Sequence, residues 1–477
     1  NTAVGRTAMN GNSTGDTNTA IGYAALYANT TADNNTAVGS QALEANTTGF
    51  SNTAVGFSSL LKNTDADCNT AIGFESMCDT TTGHSNTALG YSALCDNTTG
   101  IGNTSVGFRA MFRNTTNGCN TAIGYQALAF NYQGEGNTAL GACTLRTAGQ
   151  GVSASDNTAV GFQALEATTN GDNNTAAGAC ALLKNTTGSN NNAVGARTLI
   201  CNTTGGINLG IGNCALYFNT TGGQNTAIGL NSLRANTTAS SNIGIGYQSL
   251  CANQTGASNV AVGNNALLKN TASANTAVGC SALICNTTGY CNTAIGFNAG
   301  YSNTTGFTNT YIGQCAGYSA TTPEGNTFVG KFAGGNAGTG NSNVALGINS
   351  GVDAVKNITG TDTHQIVIGN NSSSHAFIKI DWTVTSDLRD KTNIEDVPHG
   401  LDFINQITPI KYKFKTSRED DTPAGNKKYG FKAQEILELE GDNPVIINND
   451  DADNLKITAS HLIPVLVNAI KELKAEI

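Results

Sequence analysis

The stretch NTAVGSQALEANTTGFS, Asn35–Ser51, is followed at once by NTAVGFSSLLKNTDADC, Asn52–Cys68. The same block opens at Asn1, Asn18, Asn35, Asn52, Asn69, Asn86, Asn103, Asn120 and Asn137, a spacing of 17 residues. It resumes after a three-residue insertion near GQGVSASD and runs from Asn157 to Asn259. It then slips by one residue before Asn275, continues through Asn343, and ends in a degenerate copy, QIVIG, Gln365–Gly369. The glycine closing the first block is present in every copy, from Gly5 to Gly369. Such fixed-period similarity marks a repeat architecture, in which each unit buries its apolar face against its neighbours.

Seventeen residues are too few for the two helices of a helical repeat, and the blocks alternate with period two rather than 3.6. Each repeat is therefore expected to form one coil of a parallel β-solenoid. In NTAVG, Thr and Val, Ile or Leu share one side of the strand, while Ala and Gly share the other. In NTTG, Asn and Gly supply residues that tolerate a turn. Coils stacked about 4.8 Å apart would give a rod on the order of 100 Å long for roughly 22 coils. Pro is nearly absent from this part because it cannot donate to a ladder. Val4, Ile21, Val38, Val55 and Ile72 would stack as an aliphatic column, with Ala3, Ala20, Ala37, Ala54 and Ala71 on the opposite face. A thin roll buries only one of these faces. The expectation is that the Ala/Gly face packs against other chains, in an oligomer.

Composition limits what such a chain can do. Of 477 residues, 57 are Gly, 6 Pro and only 12% charged, with a formal charge of -9. That acidity argues against nucleic acid, whose binding rests on Lys and Arg neutralising phosphates. No apolar run is long enough to span a bilayer, so no membrane insertion is expected. The chain opens at Asn1 in mid-pattern, without Met or a signal-like segment, and reads as a piece of something longer. All thirteen cysteines lie between Cys68 and Cys315, without a CxxC pair. They read as structural thiols rather than as a disulfide framework or metal site, although the period would make neighbours of Cys78 and Cys95. The five histidines, His84, His364, His375, His399 and His461, have no ligand spacing, and no cofactor is expected. NNDDADN, from Asn448, reads as a solvated turn, since it lacks the later Glu of a calcium loop. The NTT triplets match the glycan-acceptor pattern but recur at the turn phase and read as turns.

After about Asn370 the composition changes. Half of the Lys and Arg residues and five of the six prolines follow Thr385. The expected organisation is a repeat shaft over 1–370, a connector strand over 371–385 containing Trp382, and a second domain over 386–477. In that domain LDFINQI suggests a helix, IKYKFK a strand, GFKAQEILEL a helix and NPVIINNDDADNLKITA a hairpin. In the final segment Leu462, Val465, Leu466, Ala469, Ile470 and Leu473 form an apolar stripe suited to a coiled coil. At the junction, SDLRDKTNI, Ser386–Ile394, places Ser386 five residues before Lys391. A serine nucleophile with a lysine base is one reading, provided that the amine is desolvated enough to be neutral; a polar turn is the other. A glycan-degrading enzyme would need paired carboxylates at a groove. The acids of the shaft are scattered, with Glu44 and Glu166 sharing a phase about seven coils apart.

Two resemblances sharpen these readings. The repeats resemble the head modules of trimeric bacterial adhesins, whose S-V-A-I-G-like blocks build left-handed parallel β-rolls around a threefold axis. Downstream, SDLRDKTNI, ITPIKYKF, YGFKAQEI and HLIPVLVNAIKEL occur in the order and spacing of endosialidase-type intramolecular chaperone domains, over roughly the last 92 residues. In that family a Ser-Asp-x-Arg-x-Lys-x-Asn-Ile signature opens a domain that trimerises, guides folding of the upstream fibre and cuts itself off just before the Ser. Ser386, Asp387, Arg389, Lys391, Asn393 and Ile394 match it, while Asp390 stands where the family often has Leu. The resemblance implies a mainly β homotrimeric fibre with a small α+β C-terminal domain. It also implies autoproteolysis at Thr385-Ser386 by Ser386 and Lys391, with Asp387, Arg389 and Asn393 in support. A virion tail fibre of this kind would partner other tail proteins and a host-surface receptor, such as a glycan. A trimeric bacterial adhesin and a glycan-degrading tailspike are the alternatives.

Overall fold

The structure is a computed structural model describing residues 1–148, 154–353, 356–373, 386–415, 420–449, 452–453 and 455–477. Most of the expected connector strand, with His375, Trp382 and Thr385, lies outside the described residues, as do Asp450, Asp451 and Asn454. The chain divides into two compact units, Asn1–Asn370 and Asn371–Ile477.

The first unit is a parallel β-solenoid. Twenty-two strands of three residues, β1 (Thr2–Val4) through β22 (Ile366–Ile368), each pair with the next in one parallel sheet. Register follows the repeat: Thr36 pairs with Thr53, Ala37 with Ala54 and Val38 with Val55. The insertion, the slip and the degenerate copy are absorbed outside the strands. Thr138 pairs with Thr158, Val260 with Thr276 and Val344 with Ile366.

The inward face is the reverse of the one expected. Ala20, Ala37, Ala54 and Ala71 are fully buried within the roll, whereas Val4, Ile21 and Ile72 are exposed. The cause is volume. With the opening Asn counted as position 1, the roll is filled by the long side chain at position 9, as in Leu26, Leu43, Leu60 and Met77, all fully buried. A methyl at position 3 leaves room for it, and a second column of Val or Ile would overfill the space.

Exceptions obey the same rule. In β19 (Thr310–Ile312) and β20 (Thr327–Val329) position 3 is Tyr311 and Phe328, both fully buried. Position 9 there is Gly317 and Gly334, where an added Cβ would run into those rings. Near β21 (Val344–Leu346), with Ala345 at position 3 and Gly351 at position 9, Ile358 of the longer loop enters the core.

Left-handed backbone also falls elsewhere than expected. In one coil it occurs at Gly39 (φ 141°), Gln41 (φ 61°), Leu43 (φ 51°) and Ser51 (φ 56°), and not at Asn46 or Gly49. This backbone turns its amides first to one neighbouring coil and then to the other. Gly39 and Gln41 N–H donate to the preceding coil, at Ile21 O and Tyr23 O, both 2.8 Å. Leu43 and Ala45 N–H donate to the following coil, at Ser59 O and Leu61 O, 3.0 and 3.1 Å. Hydrogen bonding between coils therefore continues beyond the short strand.

Asparagine closes each coil. Asn35 Nδ2 donates to Gly49 O at 2.9 Å across the coil, and Asn35 Oδ1 accepts Asn52 N–H from the next. Asn46 Nδ2 donates both to Gly49 O and to Asn29 Oδ1, each at 2.9 Å. Asn35 and Asn46 are fully buried. The NTT asparagines are thus internal ladder members, which explains their phase and withdraws their amides from glycan attachment.

The second unit is small and α+β. It contains α1 (Leu401–Gln406), an antiparallel pair β23 (Ile410–Lys415) and β24 (Pro423–Gly430), α2 (Ala433–Glu440), a short antiparallel pair β25 (Ile447–Asn448) and β26 (Lys456–Ile457), and α3 (Leu462–Glu476). Its core is Phe403, Ile407, Ile436, Ile446, Ile447, Leu462 and Val465. The apolar stripe of α3 divides: Leu462, Val465 and Ala469 are buried, while Leu466, Ile470 and Leu473 remain exposed.

Candidate functional site

The Ser/Lys cluster opens the described stretch 386–415 of the second unit. Asp387 caps a one-turn 3-10 helix, Leu388–Asp390, by accepting Arg389 N–H at 2.9 Å. Asp390 N–H returns to Asp387 O and Lys391 N–H to Leu388 O, both at 3.2 Å. That single turn reverses the chain and brings residues five apart together: Lys391 Nζ donates to Ser386 Oγ at 2.9 Å. The arrangement needs no other element, which is why its residues are contiguous in sequence.

The supporting residues of the signature have distinct places. Arg389 grips the Asp387 carboxylate through Nε at 3.1 Å to both oxygens and through Nη2 at 2.5 Å to Oδ2. The Arg389 guanidinium holds the Asp387 carboxyl below its usual range, and the carboxylate raises the guanidinium in turn. Asn393 adopts φ 52°, a left-handed conformation that Asn tolerates better than most residues. Leu388 and Ile394 project into solvent as isolated apolar groups. Ser386 and Lys391 are exposed in the single chain.

Within the unit, α3 braces the segment downstream of the cluster. Leu401 N–H, at the start of α1, donates to Glu472 Oε2 at 2.5 Å, and Asn468 Nδ2 donates to Val397 O at 3.0 Å. Glu440 accepts three successive amides, Val445, Ile446 and Ile447, at 2.7 to 2.9 Å. The Glu472 contact, 71 residues from its partner, and the local Glu440 contacts have no sequence signal.

Other candidates resolve into structure. Cys78 and Cys95 occupy one phase of adjacent coils and form a disulfide with Cα atoms 5.0 Å apart. Of the remaining cysteines only Cys315 is buried. The expectation of purely structural thiols is therefore corrected at that pair, because stacking at one coil spacing brings the two Cα atoms within the range that a disulfide spans. Glu44 is hydrogen-bonded by Gln41, and Glu166 by Gln163 and Arg146, so each is held by its own neighbourhood. His399 stacks on Phe403, and His461 contacts Val445 O. Among the described residues there is no group of three or more metal-ligating side chains, and no helix long and apolar enough to cross a membrane.

No curated protein and no solved structure matched the chain. Residues 386–443 match the model of the family described as chaperone of endosialidase. The match opens at Ser386, whose hydroxyl accepts from Lys391, and it covers α1, both strands of the larger hairpin and α2. The chain thus joins a parallel 17-residue-repeat solenoid to a segment similar to the endosialidase chaperone, an organisation that fits an endosialidase-type tail fibre with a C-terminal chaperone.

Proposed function

We propose that the protein is a homotrimeric phage tail fibre that holds or presents a host-binding tip, and that its C-terminal domain drives trimerisation and then cuts itself away before Ser386. The observation that carries this reading is the Lys391 Nζ to Ser386 Oγ hydrogen bond at the first residue of the family match. A physical need supports it. Parallel coils offer the same pairing pattern at each step, so register among chains is poorly specified and nucleation is slow. A separately folding clamp at one end sets the register, and its removal makes unfolding kinetically irreversible.

In the proposed cleavage, Ser386 Oγ attacks the Thr385 carbonyl carbon while Lys391 takes the hydroxyl proton. Lys391 then gives a proton to the departing Ser386 amide nitrogen, leaving an ester that water hydrolyses. Intramolecular delivery of the hydroxyl is worth on the order of 7 kcal/mol of barrier. Both side chains are exposed in the single chain, and in this reading assembly supplies the shielding that neutralises Lys391, which would delay cutting until the fibre has formed. Denaturing electrophoresis with mass spectrometry tests this. The expected product is a fragment of 92 residues beginning at Ser386 (477 − 386 + 1), absent from Ser386→Ala and Lys391→Arg. Arg cannot serve as the base at neutral pH. The same fragment from Lys391→Arg would overturn the Ser/Lys assignment.

A further inference from the structure

The sheet of the shaft turns an uncharged face outward along its whole length. Positions 2 and 4 of all 22 strands, 44 places in total, contain no Asp, Glu, Lys or Arg. Position 4 is aliphatic throughout and exposed in many coils, for example 41% in Ile21, 45% in Leu89, 42% in Ile123 and 44% in Val194. Position 2 is mostly Thr, and the hydroxyls of Thr36, Thr53 and Thr70 have no hydrogen-bond partner among the described residues. In the NTT segment, by contrast, Thr47 Oγ1 donates to Thr64 O at 2.9 Å. Two residues beyond position 4, Phe57, Phe74, Tyr91, Phe108 and Tyr125 stack in one exposed column with centroids 5.1 to 5.3 Å apart.

Strand propensity favours Val, Ile and Thr but does not exclude charge from every coil. Elsewhere charge is frequent: position 11 carries Lys62, Asp79, Asp96, Arg113, Lys184 and Lys269. The interior does not demand the aliphatic column either, since positions 3 and 9 fill it.

We infer that this Thr/aliphatic face, and not the Ala face, is where the shafts of two further copies of this chain pack, parallel and in register. The inference rests on the trimeric reading above and names the surface it uses. A second copy is the fitting occupant because the face repeats at every coil for the full length of the unit, and a rod with the same repeat matches it throughout. One side chain about two-fifths exposed per coil, with the Thr methyl beside it, sums over 22 strands to on the order of 1,000 Å² of apolar surface per chain; shared between two neighbours and joined by the polar part of the face, this is of the same order as the roughly 800 Å² that each partner gives to a stable interface. The free Thr hydroxyls supply polar contacts across it.

The test uses the full chain carrying a benzophenone amino acid at Ile123, on the face, or at Lys184, at position 11, with sedimentation run in parallel. Covalent dimers and trimers after irradiation are expected from position 123 and not from position 184. A second variant, Ile123→Lys with Val160→Lys, should lower trimer yield at least tenfold, while Lys184→Glu leaves it unchanged. Trimers by sedimentation with cross-links from 184 alone, or from neither site, would overturn the face assignment while leaving the trimer standing. A monomer at micromolar concentration would overturn both.

Discussion

Individual residues set the stability of the shaft through buried amides more than through any single apolar contact. Asn46 donates twice and accepts once, from Asn63 Nδ2 at 2.7 Å, with no exposure to water. Asn46→Ala strands partners in two neighbouring coils and should cost about 2–4 kcal/mol. Chemical denaturation of the purified shaft checks this. Tyr311 is the opposite case. Its ring fills the roll, but Tyr311 Oη is buried and has no hydrogen-bond partner among the described residues. Burial pushes the phenol far above its ordinary value. With the folded-state value raised, the group's contribution is fully present below the unfolded-state value of about 10 and is lost as pH rises beyond it. Tyr311→Phe mimics Phe328 of the next coil. It should raise stability by about 1–2 kcal/mol at neutral pH and flatten the alkaline fall in the denaturation midpoint.

Within one coil, the rigid element is the junction where the strand turns into the alternating segment. The glycine at position 5 has φ between 113° and 142° in every coil but the last, a range closed to other residues. It also lies against the next coil: a Cβ on Gly124 would meet Gly141 O at 2.5 Å. Gly124→Val should therefore abolish soluble assembled fibre, whereas Gln126→Ala, at a left-handed but less crowded position, should cost no more than about 1 kcal/mol. Soluble yield and protease resistance of the two variants separate these outcomes. The left-handed leucines at position 9 belong to the same element. Their backbone conformation costs about 1–2 kcal/mol, and full burial of the side chain, at about 2–3 kcal/mol, offsets it.

For the whole molecule, the solenoid behaves as a one-dimensional stack, each coil touching only its neighbours. Deleting one whole period, Asn208–Gln224, joins equivalent positions and would pair Asn192 with Thr226 and Ala193 with Ala227. The shortened chain should fold and assemble as before, with a denaturation midpoint near that of the parent. Deleting the nine residues Asn208–Leu216 instead places position 10 where position 1 belongs and should give insoluble protein. Circular dichroism and sedimentation of the two deletions check both outcomes. The second unit does not share this tolerance. Its core joins Phe403 and Ile436 to Leu462 and Val465, so truncation before α3 would remove residues that brace α1.

The period, the parallel stacking of coils and the Ser386–Ile394 signature were legible in the sequence, because each is a property of spacing along the chain. Strand pairing at 17-residue intervals follows from the recurrence of NTAVG whatever the cross-section of the roll. For Ser386 and Lys391 the spacing left a polar turn open beside a Ser/Lys pair, and one local turn brings the two side chains into contact. What needed tertiary structure was everything decided by volume. Ala rather than Val faces inward because Leu at position 9 already occupies the roll. Gly317 and Gly334 pair with Tyr311 and Phe328 because the interior admits one large group at that level. The roles of Asn35 and Asn46 depend on carbonyls that only the closed coil brings within reach. Alternation at period two assigned residues to two faces correctly but could not say which face was the inside, because the pattern is the same for either choice.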